Sequence, residues 1–178
     1  MKPSGKEGDL DSMSAPSQPS MGTRLLYGGI DGFAATLAMT SVMARLHRRL
    51  PEEERYPLPP REITERITGG SDAGVRDRAM VAHFLYGGAC GAALAALRRR
   101  PGLAEGATAG AAIWAGSYFG WVPALEILKP ASAHPWRRNA LMIAAHLVWG
   151  AATAAAICEL SLARNTILND RPPRDAVQ

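Results

Sequence analysis

The sequence has few of the residues, and none of the short motifs, that usually mark an active site. It has two cysteines, Cys90 and Cys158, which form neither a CxxC pair nor a zinc-type spacing. It contains no G-x-S-x-G, no H-E-x-x-H and no Walker-type phosphate loop. It also lacks an interleaved basic and aromatic pattern of the kind that binds nucleic acid. The sequence therefore assigns no catalytic residue, supports no enzyme activity and predicts no nucleic-acid partner.

Charge is missing from long stretches of the chain. Segments 79–97, 106–125 and 139–158 contain no Asp, Glu, Lys or Arg, and segment 25–46 has only Asp31 and, near its end, Arg45. About 20 mostly apolar residues are needed for a helix to cross ~30 Å of hydrocarbon. A helix of a soluble bundle would instead show polar residues every three or four positions. The pattern predicts an all-α integral membrane bundle of four transmembrane helices, with the lipid bilayer as its surroundings.

The predicted organisation is a transmembrane domain over residues 23–164 between two disordered tails, 1–22 and 165–178. The N-terminal tail is rich in Ser, Pro and Gly and has no apolar periodicity. The four helices are predicted at about 25–46, 79–97, 104–128 and 139–162.

The first connection contains a proline-rich stretch, and residues 60–68 after it are predicted to form a short helix. Ile63 and Ile67 share one face of that helix, and Gly69-Gly70 ends it. The short helix is predicted to lie in the membrane interface with its apolar face inward, and the alternative is an ordinary solvated loop helix.

Glycines four residues apart predict close helix packing. In lipid, helices associate by close backbone contact, which small residues at this spacing allow. Trp114 and Trp149 are expected at mid-membrane, beside these glycines. Glycine faces left over would suit a second copy or another membrane protein as partner. The predicted packing positions are Gly28, Gly32, Gly87, Gly91, Gly106, Gly110, Gly116 and Gly120.

Basic residues are distributed unequally between the two ends of the predicted bundle. The end that carries both termini, called the terminal side below, has seven near its helix ends, and the opposite end, called the loop side, has eleven. Because cytoplasmic loops carry an excess of Lys and Arg, loops 47–78 and 129–138 are predicted to face the cytoplasm.

Four ionisable residues are predicted at membrane depth, namely Asp31, His83, Glu126 and His146. Such residues are energetically costly in a bilayer and are often functional. Asp31 lies about two turns in from the terminal side, whereas the other three lie toward the loop side and are expected to converge. They would suit a proton or ion relay, a metal site, or a haem held between the two histidines. The structural alternative places Glu126 at the lipid boundary, with both histidines hydrogen-bonded to neighbours.

Three sequence features resemble a known family. Pro57-Leu58-Pro59-Pro60-Arg61 follows the first membrane helix, His83 leads into a small-residue helix, and Ala145-His146-Leu147-Val148-Trp149-Gly150 lies in the last helix. Over roughly residues 25–162 this resembles the YagU-like group of small bacterial inner-membrane proteins, a domain of unknown function. The resemblance implies a multi-pass protein of the bacterial inner membrane and brings no catalytic residue or cofactor.

The leading functional prediction is a small multi-pass membrane protein with a structural role or a place in a membrane complex. One alternative is a protein that transports protons, ions or small solutes by means of Asp31, His83, Glu126 and His146. A second alternative is a redox protein with haem or metal at His83 and His146. No other cofactor is predicted.

Overall fold

The computed structural model describes residues 19–167, and the described chain is helical without any strand. The all-α prediction is confirmed. Ser117–Trp121 forms a π-helical turn between two helices, and Glu52–Glu54 and Ala131–Ala133 form 3₁₀ turns. The helices are α1 (Met21–His47), α2 (Pro59–Thr68), α3 (Asp72–Leu97), α4 (Leu103–Gly116), α5 (Val122–Ala124) and α6 (Trp136–Thr166).

Three of these helices are long and apolar enough to cross a membrane, by length and composition. They are α1, α3 and the Trp136–Arg164 part of α6, with 27, 26 and 29 residues. Large apolar side chains such as Leu26 and Leu37 are exposed on α1. Within the helices, hydroxyl groups donate to the carbonyl one turn earlier, as Thr36 does to Gly32 at 2.8 Å. These features are compatible with a lipid bilayer around the bundle.

The predicted fourth helix, 104–128, does not form as one piece. Helix α4 has 14 residues and ends at Gly116, and Gly120 within the following π turn has a non-helical backbone (φ −106°, ψ −110°). Pro123 lacks an N–H and its ring crowds the carbonyl four residues earlier, while glycine tolerates conformations that other residues avoid. A proline this close to Gly120 accounts for the break, so a continuous fourth span is not confirmed.

The other helix bounds differ modestly from the predicted ones. Helix α1 begins at Met21 because the Ser20 hydroxyl accepts a hydrogen bond from the Thr23 amide at 3.2 Å. Helix α3 extends the predicted span toward the loop side as far as Asp72. The predicted connecting helix is present as α2 and ends at Gly69, which has φ +56°. The predicted tails fall largely on residues 1–18 and 168–178, outside the described residues.

Glycines bring the helices into contact as two antiparallel pairs. On α1, a Cβ added to Gly32 would lie 2.7 Å from the Cα of Gly91 on α3. On α4, a Cβ added to Gly106 would meet the Gly150 carbonyl and the Ala154 Cβ of α6. Gly28, Gly87 and Gly110 are equally enclosed. Six of the eight predicted glycines therefore lie where the backbones touch.

Two predicted packing glycines do not pack, and one that was not predicted does. A Cβ added to Gly116 or Gly120 would meet nothing within 4 Å, because the chain turns away from α6 at the π turn. Gly150 contacts both Gly106 and Gly110. The prediction used only glycines that have a second glycine four residues away. It therefore missed Gly150, because the residue four positions later is Ala154.

The two pairs are joined through α1 and α6, which enclose the main core. It contains Ala35, Met39 and Met43 from α1 with Leu141 and Met142 from α6. Trp149 is buried beside them, and its Nε1 donates to the Gly32 carbonyl at 3.1 Å. Trp149 therefore fills space beside a packing glycine, where it was expected.

Candidate functional site

A cavity of about 250 Å³ lies between α3 and α4, which make few direct contacts with each other in the described chain. Helices α1 and α6 form its inner wall, and α2 covers its loop-side end. The walls are mainly aromatic and aliphatic. The polar or reactive lining side chains include His83, Cys90, Trp114 and His146.

His83 and His146 come from different helices and share this cavity. The Nε2 of His83 is buried without a hydrogen-bond partner among the described residues. The Nδ1 of His146 lies 2.7 Å from the Met142 carbonyl, which can only accept, so Nδ1 carries the proton. In the neutral ring, the His146 Nε2 is then an acceptor. The structure thus brings together two of the three residues expected to converge.

Glu126 is not part of this group, which corrects its predicted place beside the histidines. It is exposed in the turn after α5, has φ +56°, and its amide donates to the Pro123 carbonyl at 3.0 Å. The prediction assumed a continuous helix through residue 128, and the break before Pro123 removes that register. Residues 19–167 contain no group of three His, Cys, Asp or Glu side chains able to hold a metal. The predicted three-ligand set is therefore not assembled.

Asp31 is also outside the cavity. It is buried on α1 between Gly28 and Gly32, toward the terminal side, and its Oδ2 has no hydrogen-bond partner among the described residues. The structure does not connect it with His83 or His146.

Tryptophan side chains are a feature of the cavity that the sequence indicated only in part. Trp114, Trp121 and Trp149 line it, whereas Trp136 is 70% exposed elsewhere. Trp114 stacks on Tyr118 with a centroid distance of 6.0 Å, and its Nε1 is buried without a partner in the described chain. The indole N–H can only donate. Trp114, which lines the cavity together with both histidines, therefore has an unused donor.

Three side chains close the cavity on its outer side. The Tyr86 hydroxyl on α3 lies 3.2 Å from the Ser117 hydroxyl of the π turn, and the Trp121 Nε1 donates to the same oxygen at 3.2 Å. The rings of Tyr86 and Trp121 are 6.4 Å apart. We call Tyr86, Ser117 and Trp121 the mouth of the cavity.

Arg138 holds the cover over the loop-side end. Its side chain is only 3% exposed and donates to the carbonyls of Glu54, Tyr56 and Pro57 at 3.2, 2.8 and 2.8 Å. Its guanidinium also lies 3.4 Å from the centroid of the Tyr56 ring. In the sequence, Arg138 is only one of the eleven basic residues of the loop side, because nothing in Arg137-Arg138 indicates which arginine points inward.

Glu62 of α2 lies beside this arginine, with its Oε2 3.9 Å from an Arg138 nitrogen. Burial raises the pKa of Glu62 above its usual value, and Arg138 only partly opposes that effect. The folded state thus holds this proton more tightly than the unfolded state does. The resulting stability is complete below the ordinary glutamate pKa and is lost as pH rises through the raised value.

We therefore expect Glu62→Gln to flatten the dependence of stability on pH. The wild-type protein should lose stability as pH rises through this window, and the variant should not, because glutamine does not titrate. Thermal unfolding in detergent, measured across the window, provides the comparison. Glu53→Gln, in the exposed 3₁₀ turn, is the control and should keep the wild-type profile. Identical profiles for wild type and Glu62→Gln would contradict the prediction.

No family model, curated protein or solved structure matches the chain.

Proposed function

We propose that the chain is a four-span membrane protein that binds a small solute in the cavity between α3 and α4. The observation that carries the proposal is a cavity of about 250 Å³ with His83 and His146 in its wall. A purely structural bundle gains nothing from such a space, since an empty cavity weakens packing. This favours the solute-handling alternative over a structural role.

The fourth span consists of α4 with its π turn. Together they run from Leu103 to Trp121, and their only charged residue is Glu105 in the first turn. Gly106 packs on Gly150 and Ala154, whereas Gly110 packs on His146 and Gly150, so α4 is antiparallel to α6. Because α6 is long enough to span, a helix packed along it lies at the same depth. π-helical turns often occur at functional sites, and this one contributes Ser117 and Trp121 to the cavity lining.

The proposed location is the bacterial inner membrane, as the YagU-like resemblance implies. Loops 47–78 and 129–138 are proposed on the cytoplasmic side. The leading prediction, a partner in a membrane complex, has support from one feature, the open space around Gly116 and Gly120. A second copy or another membrane helix would fit against these positions.

The haem alternative uses the same two histidines. His146 already donates through Nδ1 to a backbone carbonyl, an arrangement that also orients histidine ligands of metals. An absorbance scan of the purified protein separates the alternatives, because a Soret band would assign the cavity to haem.

Labelling of Cys90 tests whether a solute reaches the cavity. The sample is alkaline-washed membranes that contain the protein with Cys158 replaced by serine. Cys90 should react with N-ethylmaleimide because it lines the cavity. Ile113→Trp should block the reaction by filling the cavity, whereas Ala112→Trp, on the exposed side of α4, should not.

The matched control moves the thiol by one residue. Ala89→Cys, in a background with Cys90 and Cys158 replaced by serine, places a thiol at nearly the same depth on the exposed surface of α3. We expect it to remain unlabelled, because a thiol that faces lipid meets no water and ionises poorly, whereas the cavity beside Cys90 has room for water and for the reagent. If Cys90 were as unreactive as this control, or if Ile113→Trp left its labelling unchanged, the solute-binding proposal would be wrong.

A further inference from the structure

We propose that the cavity takes a lipid-soluble ring compound with carbonyl or hydroxyl groups, such as a quinone-like head, and that this ligand enters from the bilayer through the mouth. This inference rests on the proposed function and adds the class of ligand and its route. It follows from the composition of the walls, the unused polar atoms and the position of the mouth.

The walls favour a flat apolar ring. Trp114 and Tyr118 stack nearly parallel, with an interplanar angle of 20°, and Met39, Ile113 and Trp149 complete the surface. A volume of about 250 Å³ is enough for a small fused ring with substituents. A charged ligand is disfavoured, because none of the described residues that line the cavity is Asp, Glu, Lys or Arg, and desolvation of an unpaired charge is costly.

The unused polar atoms define what the ring must carry. The Trp114 Nε1, a donor, and the His83 Nε2, which takes either role according to its tautomer, are buried without a partner among the described residues. The His146 Nε2 is an acceptor, because Nδ1 carries the proton. Buried polar atoms are nearly always hydrogen-bonded. Ring carbonyl oxygens would accept from Trp114 and His83, and a ring hydroxyl would donate to His146.

The mouth opens on an apolar surface. Tyr86 and Trp121 are 44% and 40% exposed, and their neighbours Leu85, Phe119 and Leu125 are more exposed still. An apolar surface of this kind on a membrane helix faces lipid. The loop-side end is covered by Pro59, Pro60 and Ile63 of α2, with Arg138 anchoring the preceding loop. Access from the bilayer is therefore shorter than access from water.

Tryptophan fluorescence gives a direct test, since Trp114, Trp121 and Trp149 line the cavity. The probe is dimethyl-naphthoquinone, with both free quinone-ring carbons methylated so that Cys90 cannot add to it. We expect saturable quenching in the detergent-purified full chain, unchanged in Trp136→Phe. His83→Leu should weaken binding about tenfold, the effect of losing one buried hydrogen bond. His83→Gln, which keeps an N–H donor, should restore most of it.

The outcomes separate this inference from the proposed function. Quenching that never saturates, or that is equal in wild type and His83→Leu, would overturn the ligand class even if Cys90 is labelled. Failure of the Cys90 labelling would remove the solute-binding proposal itself. A sulfonated naphthoquinone, which keeps the carbonyls but is anionic, should not bind, and tight binding of it would show that the site takes water-soluble anions instead.

The route is tested by locking the mouth. Tyr86→Cys and Trp121→Cys, in a background with both native cysteines replaced, can be joined by a short crosslinker that contains a disulfide. Trp114 and Trp149 remain as reporters. We expect the crosslink to slow quenching by dimethyl-naphthoquinone and its reduction to restore the original rate. An unchanged rate in the locked protein would exclude entrance through the mouth.

Discussion

Replacing Gly32 with alanine is expected to separate α1 from α3 and to destabilise the bundle by about 3 kcal/mol, the upper end of the range for overpacking. The added Cβ would meet the Gly87 carbonyl and would lie 2.7 Å from the Gly91 Cα. Both obstacles are backbone, so neither can move aside by changing rotamer. The Gly32 carbonyl also accepts the buried Trp149 N–H at 3.1 Å, so a shift of α1 disturbs its contact with α6 as well. Thermal unfolding of the detergent-purified protein, followed by circular dichroism, measures the effect.

Gly29→Ala is the matched control for this prediction. Gly29 lies three residues away on the same helix, but its nearest neighbour to an added Cβ is the Gly88 carbonyl at 3.8 Å, an ordinary contact. Alanine is also a better helix former than glycine by up to ~1 kcal/mol. Gly29→Ala should therefore unfold at or slightly above the wild-type temperature. Equal losses in the two variants would mean that α1 and α3 do not touch at Gly32.

The contrast between these two glycines also shows what the sequence could predict. The spacing of Gly28 and Gly32 identified a packing face, and the length of charge-free segments identified the helices. Both features are local, so they can be read along the chain. The open space around Gly116 and Gly120 could not be foreseen, because it depends on how the chain leaves α4 at the π turn.

The sequence predicted how far along their helices the candidate site residues lie, but not the direction in which they face around the helix axes. Distance from the helix ends placed both His83 and His146 toward the loop side, and they do line one cavity. Glu126 was assigned by the same argument, which fails where Pro123 and Gly120 interrupt the helix. The cavity itself arises because α3 and α4 diverge, and no single segment contains that information.

Replacing Arg138 is expected to have the second large effect, because it should release the loop that covers the cavity. Arg138→Gln would leave the carbonyls of Glu54, Tyr56 and Pro57 without their buried donor and would remove the contact with Glu62. A buried acceptor left without its donor costs about 1–3 kcal/mol, so the loss over three carbonyls is about 3 kcal/mol or more. Opening of the loop should then be about a hundredfold more frequent. Cleavage by a glutamate-specific protease after Glu52–Glu54, in the purified full chain, reports that opening.

The neighbouring arginine separates this effect from a change of charge. Arg137→Gln removes the same charge, but the Arg137 side chain is half exposed, and among residues 19–167 its one ion pair is with Glu54 at 3.4 Å. Surface ion pairs contribute ~0–1 kcal/mol, so its cleavage rate should rise by no more than about fivefold. Arg138→Lys should resemble Arg138→Gln more than wild type, since one ammonium cannot serve three carbonyls and also stack on Tyr56. Similar cleavage of the Arg137 and Arg138 variants would contradict the anchoring role. Faster N-ethylmaleimide labelling of Cys90 in Arg138→Gln would show that the same anchor also limits access to the cavity. The released loop and α2 cover the cavity that Cys90 lines.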